Sequence, residues 1–139
     1  IDIDEESGVS VSEQVRRASA CAAAMQEALS ELDARWHEDD PNLVELQMRI
    51  GIHQGAVVVG NFGSDKRVDY TAIGDSVNVA SRIERACEPG AVFLSRESAL
   101  QLPEVVTESV GSFELKGIEG KVPLFRLNLR EARVLGQAA

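Results

Sequence analysis

Apolar positions after Ser10 recur at steps of three and four residues: Val15, Ala18, Ala22, Met25, Leu29, Leu32 and Trp36. That period predicts an amphipathic helix with one apolar stripe. Ser10 and Glu13 form an S-x-x-E capping box at its start, and "HEDDPN" marks its end. The small residues of "ASACAAAM" let its middle pack closely on a sheet or a second helix.

Past residue 43 the period changes. In "LVELQMRIGIHQGAVVVGNFG", residues 43–63, two β-rich runs flank "HQG", which reads as a hairpin. The nearly all-apolar "AVVVGNF" predicts a central strand covered on both faces. "GSDKRVD" reads as a polar loop, and "YTAIGDS" as the lead into a helix from about Asp75 to Cys87. On that helix Val77, Ala80, Ile83 and Cys87 share one side, while Asp75, Asn78, Arg82 and Arg85 share the other. Periodicity alone leaves the polar side open to two uses, contact with water or with a phosphate.

Further along, "EPGAVFLS" predicts a turn and a short strand, and "RESALQLP" a brief helix. "VVTESVGSFELKG" and "VPLFRLNL" predict two strands paired around "GIEGK", and "REARVLGQAA" a frayed tail. The order α-β-β-α-β-α-β-β is that of an α/β layer with a largely antiparallel sheet. Residues 1–9 read as an acidic terminus, 10–129 as one domain and 130–139 as the tail.

The 139 residues suit a single core. A net charge of −9 argues against non-specific nucleic-acid binding, so any polyanionic ligand needs a local positive site. Cys21 and Cys87 are too few for a disulfide framework and read as small buried thiols in a reducing compartment. No apolar run approaches the roughly 20 residues that cross a bilayer, and a cytoplasmic location is expected, whether or not a larger protein is membrane-attached. The chain opens on Ile1 rather than Met, as a fragment or processed product does. Asp2, Asp4, Glu5 and Glu6 could gather a cation, but a solvated terminus is the plainer reading.

Residues 48–84, "MRIGIHQGAVVVGNFGSDKRVDYTAIGDSVNVASRIE", resemble the class III nucleotidyl cyclases, the catalytic domain of adenylyl and guanylyl cyclases. The pattern R-I-G-I-H-x-G, followed by Y-T-x-I-G-D-x-V-N-x-A-S-R, carries the match, and "FELKGIEGKVPLFRL" resembles the family's closing strands. The likeness runs from about Ser12 to Leu127. It implies a ferredoxin-like cyclase sandwich, an α/β fold with a mostly antiparallel sheet, here lacking its first strands.

It also implies a reaction, in which the ribose 3′-hydroxyl of ATP attacks the α-phosphate to give 3′,5′-cyclic AMP and pyrophosphate. Asn78 then orients the ribose and Arg82 stabilises charge on the α-phosphate. Thr71 falls where many adenylyl cyclases carry an Asp that reads the adenine amino group, and its hydroxyl can accept the same hydrogen bond. This Thr resembles a bacterial branch often associated with bicarbonate stimulation. Arg49 and Lys116 match positions that contact the β- and γ-phosphates. Read without the family, Arg49 is an outward residue pairing with a carboxylate, Lys116 a solvated turn residue and Thr71 a β-branched strand residue. His53 reads as a turn-stabilising residue rather than a general base.

The family's two Asp ligands, which hold two Mg2+ or Mn2+ ions, lie in motifs that this sequence does not contain. The Lys that partners Thr71 is expected in the same absent segment. The 139 residues alone are therefore expected not to turn over. A homodimer with sites at its interface follows from the resemblance, Asn78 and Arg82 acting on a nucleotide held by the other copy. A guanylyl cyclase, or a cyclase-homology domain that binds and regulates without catalysis, are the alternatives.

Overall fold

The computed structural model of the chain describes residues 8–64 and 67–136, and of residues 59, 61–64 and 67–72 the backbone alone. Asp2, Asp4, Glu5 and Glu6 lie outside the described residues, as do Asp65 and Lys66 of the expected polar loop. In chain order the elements are α1 (Val11–Asp39), β1 (Ile50–Ile52), β2 (Val58–Ser64), β3 (Arg67–Ile73) and α2 (Asp75–Ala86). There follow β4 (Val92–Ser95), α3 (Arg96–Ala99), β5 (Thr107–Glu114), β6 (Lys121–Leu127) and α4 (Leu129–Leu135).

Four strands form one mixed sheet in the order β1-β4-β6-β5. β1 runs parallel to β4, whereas β6 is antiparallel to both β4 and β5. Alternation along β4 divides the core. Val92 and Leu94 face α1 and α4, joined by Val15, Ala22, Ala23, Leu127 and Ala132. Ala91 and Phe93 face α2, joined by Ile83, Cys87, Leu115 and Leu124. The result is the α/β sandwich that the sequence led us to expect, with two of its three sheet pairings antiparallel.

The connectivity differs from the sequence reading in one respect that matters for the site. "HQG" makes no hairpin. β1 takes β4 as its parallel neighbour, Ile50 opposite Val92 and Ile52 opposite Leu94, and a parallel pair needs a crossover rather than a tight turn. That crossover contains β2, β3 and α2. β2 pairs antiparallel with β3, from Val58 opposite Ile73 to Ser64 opposite Arg67, so much of the expected loop and lead-in is strand. The ribbon stands apart from the four-stranded sheet. β2 belongs to a two-stranded ribbon rather than to the centre of a sheet, and at its start Val58 is 65% exposed.

α1 starts where its cap predicts, the Ser10 side chain accepting from the Glu13 amide. Its buried line, however, is Val15, Ser19, Ala22, Ala23 and Gln26. Met25 and Trp36, expected on the apolar stripe, are 47% and 40% exposed. Gln26 accounts for part of the shift, because its Nε2 donates to Met48 O at 2.8 Å and Ala91 O at 3.0 Å. A buried amide is tolerated where its hydrogens are used, and here it ties α1 to the strands below. Residues 129–135 form α4, which starts on the last residue of the expected domain and takes in the first part of the expected frayed tail. Asn128 caps it by accepting from the Glu131 amide, and fully buried Ala132 seats it in the core.

Candidate functional site

α2 carries the two residues singled out for the chemistry. Its apolar side is fixed to the sheet by Ile83, which is fully buried, and by Cys87. Its opposite side presents Asp75, Asn78 and Arg85 exposed and Arg82 half-buried. Asn78 and Arg82 are four apart, so their side chains neighbour one another on successive turns. Neither side chain has a hydrogen-bond or ion-pair partner among the described residues.

The helix is held unusually close to β1. A Cβ placed on Gly51 would lie 2.6 Å from Glu84 N and 2.7 Å from Ala80 O, closer than real Cβ atoms approach. Gly55 repeats the arrangement one step on, where a Cβ would lie 2.1 Å from Ser76 Oγ. Two glycines with His53 between them therefore form the seat of α2. This G-x-H-x-G spacing was visible in the sequence, but the helix that it accommodates was not.

Arg49, two residues before Gly51, reaches the same helix. Its Nε lies 3.3 Å from Glu84 Oε1, both side chains partly exposed. This is the outward, carboxylate-paired arginine of the plain reading. Exposed pairs of this kind contribute about 0–1 kcal/mol, so the pairing leaves Arg49 able to exchange Glu84 for another anion. Lys116 is exposed in the turn between β5 and β6. Its neighbours Leu115 and Ile118 belong to the core cluster of Ile83, which holds that turn on the α2 side of the sheet. Arg49 and the turn that carries Lys116 thus lie on the α2 side of the sheet. Thr71 lies in β3 with its backbone opposite Gly60; its side chain is outside the described residues.

His53 is tied down elsewhere. Its Nδ1 lies 2.8 Å from Ser95 Oγ, and burial pushes the imidazole below its ordinary value while Glu97 pulls weakly the other way. This contact spans 42 residues of sequence and was not foreseen. Cys21 is half-buried and Cys87 buried, both as free thiols, and burial pushes the Cys87 thiol up. Among the described residues no group of three or more His, Cys, Asp or Glu side chains is placed to hold a metal ion. None of their helices is long and apolar enough to cross a membrane. A cavity of about 700 Å3 lies on the other side of the sheet, between α1, α4 and residues 45–47, away from Asn78 and Arg82.

Residues 7–129 match the adenylate and guanylate cyclase catalytic domain. The chain belongs to this family. Its cyclase relatives include adenylate cyclase 1 of Rhizobium meliloti (strain 1021), 45% identical over 67 residues, which are 48% of this chain and 10% of that protein. Among solved cyclases, the adenylyl cyclase CyaB from P. aeruginosa superposes with a TM-score of 0.77 at 31% identity. That match covers 85% of this chain and 60% of the other. The guanylyl cyclase Cya2 superposes with a TM-score of 0.69 at 34% identity, over 81% of this chain and 57% of the other. The present chain thus spans about three-fifths of these solved cyclase domains and a tenth of the curated relative.

Proposed function

We propose that this chain is part of the catalytic domain of an adenylyl cyclase that converts ATP to 3′,5′-cyclic AMP and pyrophosphate. The observation that carries the reading is the open side of α2, where Asn78 and Arg82 stand side by side on a rigid helix with their donors unused by the described residues. Rigid placement of a guanidinium fork suits a reaction whose charge spreads over phosphate oxygens.

In this reading Asn78 donates to the ribose and keeps its 3′-oxygen in line with the α-phosphate. Arg82 meets the negative charge that builds on the α-phosphate oxygens as the new O–P bond forms and the bond to pyrophosphate breaks. Arg49, released from Glu84, and Lys116 neutralise the β- and γ-phosphates. Thr71 accepts from the adenine amino group. Catalysis of this kind rests on positioning and charge stabilisation rather than on a covalent protein nucleophile.

The divalent ions that the family resemblance implies, Mg2+ or Mn2+, find no donor set among the described residues. The polar side of α2, where the Asn78 and Arg82 side chains have no partner among the described residues, also supports a homodimer in which they complete a site on the other copy.

A guanylyl cyclase is the second reading. The likeness to Cya2 favours it, as does the ability of a Thr hydroxyl to donate as well as accept. The test is product analysis: the native gene product is incubated with ATP and, separately, GTP under Mg2+ or Mn2+, and the products are resolved by mass. Cyclic AMP formed in preference to cyclic GMP supports the proposal. Cyclic GMP in excess moves it to the second reading, and nucleotide binding without turnover leaves a regulatory domain.

A further inference from the structure

β1 and β4 run side by side, and the register that sets Ile52 beside Leu94 brings His53 beside Ser95 as the strands end. There the two chains part, β4 turning into α3 and β1 into the loop that carries Gly55. A small polar cluster holds the fork. His53 Nδ1 lies 2.8 Å from Ser95 Oγ, and Ser95 Oγ lies 3.0 Å from Ser98 Oγ. Ser98 N donates to Ser95 Oγ, capping α3, and Gln54 N donates to Ser98 Oγ at 3.0 Å. Both serines are almost fully buried, at 2% and 1% exposed. In such a site each hydrogen bond is costly to lose, because water does not replace it.

The other edge of the imidazole faces the seat of α2. The point where Gly55 would carry a Cβ lies 3.7 Å from His53 Nε2 and 2.1 Å from Ser76 Oγ. Ser76 belongs to the first turn of α2, two residues before Asn78. That turn has no side-chain cap of its own: Gly74 occupies the N-cap position, and its carbonyl accepts from Val77 N and Asn78 N. The first turn of α2 therefore takes its place from the loop beneath it, and that loop takes its place from His53 and Gln54.

We propose that His53 is a positioning residue: by holding the Gly55 loop to the Ser95–Ser98 pair, it sets the height and direction at which α2 presents Asn78 and Arg82. The neutral ring that burial favours fits this part, since a charged imidazole would sit beside two buried hydroxyls without a counter-ion in contact; Glu97, on α3, is the charge that acts on it. The kinetic half of the proposal rests on the cyclase reading above. The structural half does not.

Three variants of the native gene product separate the two: His53→Ala, His53→Asn and His53→Gln. The Asn carboxamide can take the place of Nδ1 against Ser95, whereas Gln carries its amide past it. With nucleoside triphosphate as substrate, kcat should fall by up to about a hundredfold in the Ala and Gln variants, the scale of a misplaced reacting group. KM should stay within a fewfold, and Asn should restore most of kcat. Hydrogen exchange at the amides of Val77 and Asn78 should quicken in Ala and Gln but not in Asn, whether or not the protein turns over nucleotide. Unchanged exchange in His53→Gln overturns the proposal. So does a loss of kcat that Asn shares equally, or a change confined to KM. Quickened exchange in a protein that forms no cyclic nucleotide leaves the positioning role standing and removes the cyclase reading instead.

Discussion

Gly51 lies against Glu84 so closely that the glycine's missing Cβ is the space occupied by the helix backbone, 2.6 Å from Glu84 N. The neighbour is backbone, so no side chain can swing away to make room. Gly51→Ala should lift α2 off the sheet and cost about 1–3 kcal/mol, as overpacking of a filled core does. Urea denaturation of the wild type and the variant measures it. An unchanged midpoint would mean that α2 is not seated on β1 as described.

Gln26 offers the opposite test, an interior polar group rather than an interior gap. Its Nε2 serves the carbonyls of Met48 and Ala91, which precede β1 and β4. Gln26→Leu removes that donor from both carbonyls, which keep only the amides of Gly90 and Ile50, at roughly 0.5–1.5 kcal/mol for each hydrogen bond lost. Replacing it with Leu should therefore destabilise the protein despite adding apolar surface to a helix that looks alanine-rich and apolar in this region. A Leu variant with a raised denaturation midpoint would show that packing outweighs the two hydrogen bonds.

These two positions also show what the sequence could and could not convey. α1 and α2 were legible because caps and a three-to-four step are local properties, and Ser10, Asp75 and Ile83 fall where the pattern puts them. Strand partners were not legible. The runs either side of "HQG" have the composition of a hairpin, and only the alternation shared by Ile50, Ile52, Val92 and Leu94 in space makes β1 a parallel neighbour of β4. The rotated face of α1 was hidden for a related reason: Gln26 is buried by what lies opposite it, not by its own polarity. α4 passed for a tail because seven residues of "LREARVL" acquire their order from α1 and the core around Ala132. At the site, Asn78 and Arg82 could be placed on one side of a helix from their spacing, but their chemistry came from family likeness. The His53–Ser95 contact joins residues with no pattern in common.

The two histidines should titrate in opposite directions, and as the chain contains only His37 and His53 the assignment is simple. His37 Nδ1 faces Asp33 O at 2.7 Å, and chiefly that hydrogen bond raises its pKa above 6.5. His53 is lowered below 6.5, chiefly by burial. Linkage then gives opposite signs. The His37 contribution to stability is present below pH 6.5 and fades as pH rises through its raised value. The His53 contribution is present above pH 6.5 and fades as pH falls from there towards its lowered value. Imidazole NMR shifts followed from pH 4 to 9 measure both, and a His53 midpoint at or above 6.5 would contradict its burial against Ser95.

Arg82 bears most directly on the chemistry proposed. It is half-buried on α2 without an ionic partner among the described residues, so removing it breaks no observed salt bridge and should leave the fold intact. Loss of a donor aimed at developing negative charge typically raises a barrier by about 2.7–4 kcal/mol, on the order of 10²–10³ in rate. Arg82→Ala in the native gene product should therefore lower kcat by that range while far-ultraviolet circular dichroism and the thermal midpoint stay near wild type. Arg82→Lys discriminates further. Lysine keeps the charge but not the planar fork, so it should recover only a small part of the loss if phosphate oxygens are gripped by two donors at once. Full recovery with Lys would reduce the role to that of a simple counter-charge. Turnover that survives Arg82→Ala within a fewfold would remove Arg82 from the α-phosphate altogether.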